Sequence, residues 1–354
     1  ETKSPFIMNP FRFAAAGGGP SGGWVELGRT TLGSKTSPMT VASLADKRYY
    51  MVLSSALADG TNRAAAVRRL GNGSVDTGSN YSSRRNDNGA LESTNVNVTV
   101  PAIVNLSSDK TPQFAVDYVS NLSSKEKLGI THLILQNTAG AATAPERAES
   151  VWKWTNTSNP LDYYEITREP TESGDWESGS EVVVLGWDPA DTHTTNFWEE
   201  LYSEQLASDN QNFSTGSFTA KKYLWMQFFQ QGHTGNSTWT FNSDTGSNYA
   251  RRHSINGAGD ATATSGANLI NVLTGGTSDV STLTNAFIIN NSANEKLIIF
   301  NTVFVATTGA GTAPQRIEGT CKWANTAAQI TSTQVDDSGA GFDTGSFLKI
   351  WGSD

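Results

Sequence analysis

The stretch GSEVVVLGWD at residues 179–188 returns at the other end of the sequence as GSFLKIWGSD at 345–354. Val182 to Leu185 form a short apolar run between glycines, rich in β-branched residues, which predicts a strand that closes a domain. The polar segment PADTHTTN follows and predicts a linker. FWEEL at 197–201 then echoes GWVEL at 23–27, so a second copy of the preceding domain is predicted to begin there.

Other segments recur in the same order along the chain. They are KRYYM at 47–51 and KKYLW at 221–225, DTGSNY at 76–81 and 244–249, NTAGAATAPERAE at 137–149 and ATTGAGTAPQRIE at 306–318, and KWTNT at 153–157 and KWANT at 322–326. The separations are nearly constant, from 345 − 179 = 166 to 221 − 47 = 174. A period this long indicates two whole domains. We predict an N-terminal arm and tether at 1–23, a first repeat at 24–188, a linker at 189–196 and a second repeat at 197–354.

The composition favours a β-rich protein of a virion surface or extracellular location. Charged residues make up only 17% of the 354 residues, while Gly, Asn, Ser and Thr are abundant. The net charge of −9 and the absence of any large Lys/Arg cluster argue against nucleic-acid binding. No apolar run approaches the roughly 20 residues of a membrane span. The single cysteine, Cys321, excludes an intrachain disulfide or a thiolate metal cluster and is predicted to be a small core residue.

Each repeat reads as a series of short strands separated by turn residues. The predicted strands are 24–32, 39–44, 47–55, 63–70, 95–104, 113–119, 127–136, 146–154, 162–168 and 181–187 in the first copy, and 198–206, 213–218, 222–230, 237–242, 268–274, 283–290, 296–305, 315–323, 329–335 and 346–351 in the second. Eight or more strands per repeat suit a jelly roll. The predicted fold is therefore all-β, with two tandem homologous antiparallel β-sandwich domains of jelly-roll type behind an extended N-terminal arm.

Two recurring features receive structural interpretations. The segments LSSKEKLGI at 122–130 and SANEKLIIF at 292–300 place Glu and Lys before an apolar strand, which predicts a turn and a solvated edge. The tryptophans recur at matching positions, so core or strand packing is predicted for them. They are Trp24 with Trp198, and Trp154 with Trp323.

The N-terminal segment SPFIMNPFRF is apolar and is followed by the flexible tether AAAGGGPSGG. We expect Phe6, Ile7, Phe11 and Phe13 to form an assembly arm that docks on a neighbouring subunit. Packing on its own domain, or a loose terminus, remains open as the alternative.

No catalytic, cofactor or metal site is predicted, and the chain is expected not to be an enzyme. None of the nucleophile, phosphate-loop or dinucleotide motifs occurs. The adjacent pairs Glu199–Glu200 and Asp336–Asp337 would point to opposite faces of a strand, which does not suit a glycosidase. Asp188, Asp191 and His193 leave two interpretations open: a Ca²⁺ site or ordinary turn chemistry.

The repeated DTGSNY motif, followed each time by two arginines, also has two interpretations. Its residues are Tyr81, Arg84 and Arg85 in the first copy and Tyr249, Arg251 and Arg252 in the second. They could form a sugar or carboxylate site, with the tyrosine as a stacking platform and the arginines as forks. Alternatively, the motif is a tight turn leading into a strand whose arginines line an edge or a subunit contact.

The tail GAGFDTGSFLKIWGSD, with Gly345–Ser346 ahead of its final strand, resembles closing strands of jelly-roll modules in viral structural proteins. These include tail-fibre, spike and capsid-associated proteins of phages and archaeal viruses. The whole repeat also resembles uncharacterised tandem-repeat β proteins of marine viral sequence collections. The resemblance implies a virion structural role, commonly as a trimer, and carries over no site residue.

Three functional hypotheses follow. The first is a virion surface component of spike, decoration or tail-fibre type that assembles into oligomers. The alternatives are a double jelly-roll major capsid protein, and a secreted carbohydrate-binding or cell-surface-layer module. The expected partners are further copies of the chain, with a trimer favoured, neighbouring virion subunits through the arm, and a host surface glycan.

Overall fold

Two runs of antiparallel strands, paired in the same order, make up the protein. The computed structural model describes residues 23–58, 66–90, 92–101, 112–168, 173–191, 195–232, 237–271, 281–305, 310–337, 339 and 341–354. The predicted N-terminal arm lies outside these residues. All regular elements in the described ranges are strands, and no helix capable of crossing a membrane occurs there.

The first repeat forms one large and one small sheet. Its strands are β1 (Val25–Thr31), β2 (Met39–Ala42), β3 (Tyr49–Ala56), β4 (Ala66–Gly71), β5 (Tyr81–Asp87), β6 (Ser93–Val98), β7 (Gln113–Ser120), β8 (Lys127–Leu135), β9 (Glu146–Trp154), β10 (Tyr163–Arg168) and β11 (Glu181–Trp187). The large sheet has the order β1-β11-β3-β7-β8-β9-β5-β6, and the small sheet has the order β2-β10-β4.

The second repeat has the same plan, and its described residues also include the short strand β18 (Leu269–Asn271), whose counterpart in the first repeat falls largely outside the described residues. Its strands are β12 (Glu199–Gln205), β13 (Asn212–Ser214), β14 (Tyr223–Gln230), β15 (Ser237–Phe241), β16 (Tyr249–Ile255), β17 (Ala261–Gly266), β18 (Leu269–Asn271), β19 (Thr282–Ile289), β20 (Lys296–Phe304), β21 (Gln315–Trp323), β22 (Thr333–Asp337) and β23 (Phe347–Ser353). The sheets have the orders β12-β23-β14-β19-β20-β21-β16-β17 and β13-β22-β15-β18.

The connectivity confirms the predicted fold class of two β-sandwich domains. The chain alternates between the large and small sheets from β1 to β4 and crosses again at β10 and β11. As a result β11 lies between β1 and β3, while β10 lies between β2 and β4. This interleaving of early and late strands in two facing sheets is the Greek-key arrangement of a jelly roll. β8, β9, β5 and β6 extend the large sheet beyond that framework.

The repeated closing segment is a buried strand in both copies, as predicted. In β11, Val182 and Val184 enter the core between the sheets, and β23 contributes Leu348 and Ile350 to the corresponding core. Trp154, Trp198 and Trp323 are buried, which confirms the packing role predicted for them. Trp24 is only half-buried. Cys321 is a core residue as predicted, and burial raises the pKa of its thiol to about 12.

Two expectations about the strands were wrong. The strands β5, β16 and β17 were absent from the series of predicted strands, because they are polar and lack an apolar run, although the turn interpretation of DTGSNY correctly placed a strand directly after the motif in each copy. Lys127 and Lys296 were expected at a solvated edge, yet both are fully buried. Each ammonium group donates to backbone carbonyls, including that of Asn156 at 2.9 Å from Lys127 and that of Asn325 at 2.7 Å from Lys296.

By their contacts the residues divide into two units that differ slightly from the two repeats. Unit 1 contains the described residues up to Asn137 and those of Arg147–Trp198. Unit 2 contains Glu199–Asp354 together with Thr138–Glu146, which is the loop between β8 and β9. A loop encoded in the first repeat is therefore an integral part of the second unit.

Candidate assembly surface

The DTGSNY motif forms the same hydrogen-bonded turn in both units. In unit 1 the Asp76 carboxylate accepts hydrogen bonds from the Gly78 N–H at 2.8 Å, from the Asn80 side chain at 2.9 Å and from the Trp154 indole at 2.7 Å. Burial opposes ionisation of this group, but these hydrogen bonds outweigh it and lower the pKa of Asp76. The carboxylate thus joins a surface turn to a core tryptophan.

Unit 2 repeats this arrangement nearly atom for atom. Asp244 accepts from Gly246 N–H at 2.8 Å, from Asn248 at 2.9 Å and from the Trp323 indole at 2.7 Å. The pKa of Asp244 is lowered in the same way. The recurrence of the motif is explained by this structural role.

Tyr81 and Tyr249 are core residues, and neither ring has an exposed face on which a sugar could stack. The Leu70 N–H donates to the Tyr81 hydroxyl at 3.0 Å, and this hydroxyl donates to the Asp76 carbonyl at 2.9 Å. The Tyr249 hydroxyl lies between Phe241 and Asp244 in the same manner. The tyrosines therefore connect neighbouring strands inside each sandwich.

The two arginine pairs are not equivalent in the structure. Strand register places Arg84 opposite Val151 and Arg252 opposite Thr320, so these two arginines correspond. Arg84 is exposed and pairs with Glu92 at 2.7 Å. Arg85 is buried, and its Nε lies 3.3 Å from the Asp87 carboxylate. Arg251 is not its counterpart, because strand register places Arg251 where the first copy has Ser83. The six motif residues therefore do not converge on one ligand site.

The junction residues form turn contacts. The Asp188 N–H donates to the Asp191 carboxylate at 2.8 Å, and the Ala190 N–H donates to the Asp188 carboxylate at 3.0 Å. Asp191 also pairs with Lys47. His193 lies outside the described residues, within which no cluster of three or more His, Cys, Asp or Glu side chains could hold a metal ion.

An exposed apolar groove crosses the outer face of the large sheet in unit 1, the face opposite the core. We call it the unit 1 groove; it has a volume of about 590 Å³. Leu128 and Ile130 from β8 and Val151 from β9 line it, with exposures of 56%, 48% and 49%. Arg84 and Lys153 supply its charged groups.

The rim of the groove carries two exposed ion pairs. The Arg84 guanidinium lies 2.7 Å from Glu92, and the Lys153 ammonium lies 2.9 Å from Glu126. Exposed pairs of this kind contribute at most about 1 kcal/mol to stability. They can therefore exchange partners at little cost when another surface covers the groove.

The corresponding surface of unit 2 is buried. KLGI at 127–130 aligns with KLII at 296–299, so Leu297 and Ile299 correspond to Leu128 and Ile130. Leu297, Ile299 and Thr320, which occupies the position of Val151, are only 1%, 4% and 3% exposed. Homologous side chains are thus solvent-exposed in one unit and buried in the other.

The Thr138–Glu146 loop is bound along this surface within unit 2. Its backbone carbonyls accept hydrogen bonds at three places: Thr138 from the Lys322 ammonium at 2.5 Å, Ala141 from the Ser265 N–H at 2.8 Å, and Pro145 from the Arg252 guanidinium at 2.8 Å. The Gly140 N–H donates to Glu295. All four contacts use backbone atoms of the loop, so they do not require a particular loop side chain.

The groove was not identified from the sequence. Leu128, Ile130 and Val151 alternate with buried residues and read as ordinary strand positions. Of the residues singled out in the sequence, only Arg84 and Arg252 belong to this surface or its counterpart.

Comparisons with known proteins provide no family for this chain. No protein-family model matches it, and no curated protein matches it. Among solved structures, a chain from a structure described as "Unveiling the Mechanism Behind the in-meso Crystallization of Membrane Proteins" aligns with 77% of this chain and 82% of its own length, at 9% identity and a TM-score of 0.13. A TM-score this low says nothing about fold or function. What the chain does must therefore be inferred from its own geometry.

Proposed function

We propose that this protein is a structural subunit of a virus particle that assembles into oligomers through the outer face of unit 1. The observation that carries the proposal is the unit 1 groove, whose Leu128, Ile130 and Val151 are about half-exposed while their counterparts in unit 2 are buried. Contiguous apolar surface of this kind is typical of protein interaction sites.

The chemistry of the groove suits a protein partner. Apolar residues form its centre, and the charged side chains of Arg84, Lys153 and Glu126 lie at its edge. An apolar centre with a polar rim is the usual anatomy of a protein–protein interface. The tandem jelly-roll architecture and the resemblance of the closing strand to viral modules support the virion role.

The surface-component and capsid versions of this role share the need for self-assembly. We expect a homo-oligomer, with a trimer favoured, located on the virion surface, and contacts of the N-terminal arm with neighbouring subunits. The carbohydrate-binding alternative is not favoured, because its candidate stacking residues Tyr81 and Tyr249 lie in the cores.

The proposal is tested by the mass of the full chain in solution, measured by light scattering over a range of concentrations. We expect oligomers in the wild type and at least tenfold weaker association in Ile130→Asp, because burying an unpaired carboxylate is strongly unfavourable. Leu122→Asp is the matched control, since Leu122 is also a half-exposed apolar residue of unit 1 and lies outside the groove.

A wild type that stays monomeric at every concentration would refute the proposed function. Equal weakening of association by Ile130→Asp and Leu122→Asp would exclude the groove as the assembly surface. If oligomers form, electron microscopy distinguishes a capsid building block, which forms closed shells or plates, from an elongated spike or fibre.

A further inference from the structure

The loop between β20 and β21 is the copy of the loop that covers unit 2. Residues 137–149, NTAGAATAPERAE, align with 306–318, ATTGAGTAPQRIE, so Ala310–Pro314 corresponds to Ala141–Pro145. The two loops differ in burial. Ala141, Ala144 and Pro145 are buried, whereas every residue of Ala310–Pro314 is exposed.

Each chain thus has one covered surface with its covering loop, and one exposed groove together with one exposed loop of the same kind. We propose that the Ala310–Pro314 loop of one chain binds the unit 1 groove of a second copy, reproducing the contact that Thr138–Glu146 makes inside unit 2. This proposal rests on the proposed function and specifies how the copies join.

The binding groups of the covered surface have counterparts around the unit 1 groove. Lys322 corresponds to Lys153, Arg252 to Arg84 and Glu295 to Glu126. The sequence repeats KWANT/KWTNT and NEKL/KEKL and the strand registers establish these correspondences.

The fourth binding group, the Ser265 N–H, also has a counterpart. In unit 2 Tyr249 of β16 pairs with Gly266 of β17, and in unit 1 the equivalent Tyr81 of β5 pairs with Val98 of β6. Gly266 therefore corresponds to Val98, and the preceding residues Ser265 and Asn97 correspond to each other. Both residues adopt the left-handed conformation, with φ of 51° and 53°. The N–H that binds the Ala141 carbonyl in unit 2 is therefore reproduced in unit 1 by a residue of the same backbone shape.

The loop of the second copy can use these groups because the four contacts described above involve only backbone atoms of the loop. The alignment keeps Gly140, Ala141 and the Thr143–Pro145 segment of the first loop in the second, while Ala139 and Ala142 are replaced by Thr and Gly. The resulting contact is head-to-tail, because a groove in one repeat meets a loop from the other. Such a contact generates a closed ring, of which a dimer with reciprocally exchanged loops is the smallest, or an open filament.

Disulfide trapping tests the proposed pairing directly. In unit 2 the Ser265 N–H donates to the Ala141 carbonyl at 2.8 Å, so the backbones of these two residues are in direct contact. A disulfide requires Cα atoms about 4.4–6.8 Å apart, and the Ser265/Ala141 pair serves as the reference for whether this backbone contact meets that requirement. The test pair is Asn97→Cys on one full-length chain and Ala310→Cys on another, co-expressed with different tags. The only native cysteine, Cys321, is buried and does not interfere.

We expect a covalent heterodimer of the two tagged chains on non-reducing gels, and no homodimer of either variant alone. A chain that has both Asn97→Cys and Ala310→Cys should form covalent multimers on the same gels. In the matched control, Ser265→Cys combined with Ala141→Cys, the disulfide should form within one chain, so no covalent dimer should appear.

A second pair of variants does not depend on disulfide geometry. Ala313→Trp should weaken association at least tenfold, because its counterpart Ala144 is buried against unit 2. Gly311→Trp should change association less than threefold, because its counterpart Ala142 is exposed.

The outcomes separate this proposal from the proposed function. Intact oligomers that neither cross-link between positions 97 and 310 nor respond to Ala313→Trp would overturn the loop-and-groove pairing while leaving self-assembly in place. A chain that is monomeric under all conditions would overturn both.

Discussion

Removal of the Asp117 carboxylate should destabilise unit 1 by several kcal/mol. Asp117 and Arg68 are completely buried, with the Arg68 Nε 3.1 Å from the carboxylate, and the Tyr164 hydroxyl donates to the same oxygen at 2.7 Å. Burial opposes the charge on Arg68, but Asp117 outweighs it and raises the pKa of the guanidinium. In Asp117→Ala the guanidinium would remain buried without its counter-ion.

The size of the effect follows from the depth of burial. Breaking a buried ion pair by removing one partner costs about 3–5 kcal/mol. For a domain of this size each kcal/mol lowers the midpoint of thermal unfolding by about 2–4 °C, so Asp117→Ala should lower it by roughly 6–20 °C. Differential scanning calorimetry of the full chain measures this shift.

The second repeat provides the control for this experiment. Strand register places Trp239 and Ala286 where unit 1 has Arg68 and Asp117, so the same framework tolerates an apolar pair there. We therefore expect Arg68→Met combined with Asp117→Ala to recover at least half of the lost stability. A shift below about 2 °C in Asp117→Ala, or a double variant no more stable than the single one, would refute the reasoning.

Three further predictions concern acid stability, core packing and the arm. Asp76 and Asp244 have lowered pKa values, so their contribution to stability is present above the unfolded-state pKa near 3.9 and is lost as the pH falls through the folded-state value. Urea unfolding between roughly pH 2 and pH 6 should show this loss of stability, and the dependence of stability on pH should be weaker in Asp244→Asn. Gly129→Ile should destabilise unit 1 by about 1–3 kcal/mol, because a Cβ at Gly129 would lie 2.1 Å from the Trp152 ring, and adding Trp152→Cys should restore at least half of that loss in thermal unfolding. Deletion of residues 1–23 should reduce the number of chains per oligomer, obtained from the mass measured by light scattering, and an unchanged number would exclude the arm from the assembly contacts.

The duplication and the closing strands could be predicted from the sequence because they depend on local residue patterns. The apolar run in GSEVVVLGWD is bounded by glycines and recurs at the equivalent place in both copies, and both segments form strands that fill the gap between two earlier strands. Turn residues between the other apolar runs marked most of the remaining strands. The strands β5 and β16 were indicated only by the turn interpretation of DTGSNY, because they bury a tyrosine and polar side chains and have no apolar run.

The sequence also does not reveal paired substitutions that compensate each other in the cores of the two copies. Gly129 lies beneath the Trp152 ring in unit 1, whereas unit 2 has Ile298 paired with Cys321 at the equivalent positions. Each pair fills a similar space with its volume distributed differently across two strands. Core packing depends on the combined volume of two residues that are distant in sequence. Neither the glycine at 129 nor the cysteine at 321 can therefore be interpreted without its partner.

The candidate assembly surface illustrates the limit of pattern-based prediction most clearly. Leu128 and Leu297 occupy equivalent positions in nearly identical segments, yet one is half-exposed and the other is buried. The difference arises because Thr138–Glu146 folds as part of unit 2, while its copy Ala310–Pro314 is exposed. Sequence similarity predicts that both surfaces can bind such a loop, but only the fold reveals which surface is already covered. The duplication creates two equivalent loop-binding surfaces, and the chain itself covers only the one in unit 2. The unit 1 groove is available for a second copy, and this is the physical basis for expecting the protein to assemble.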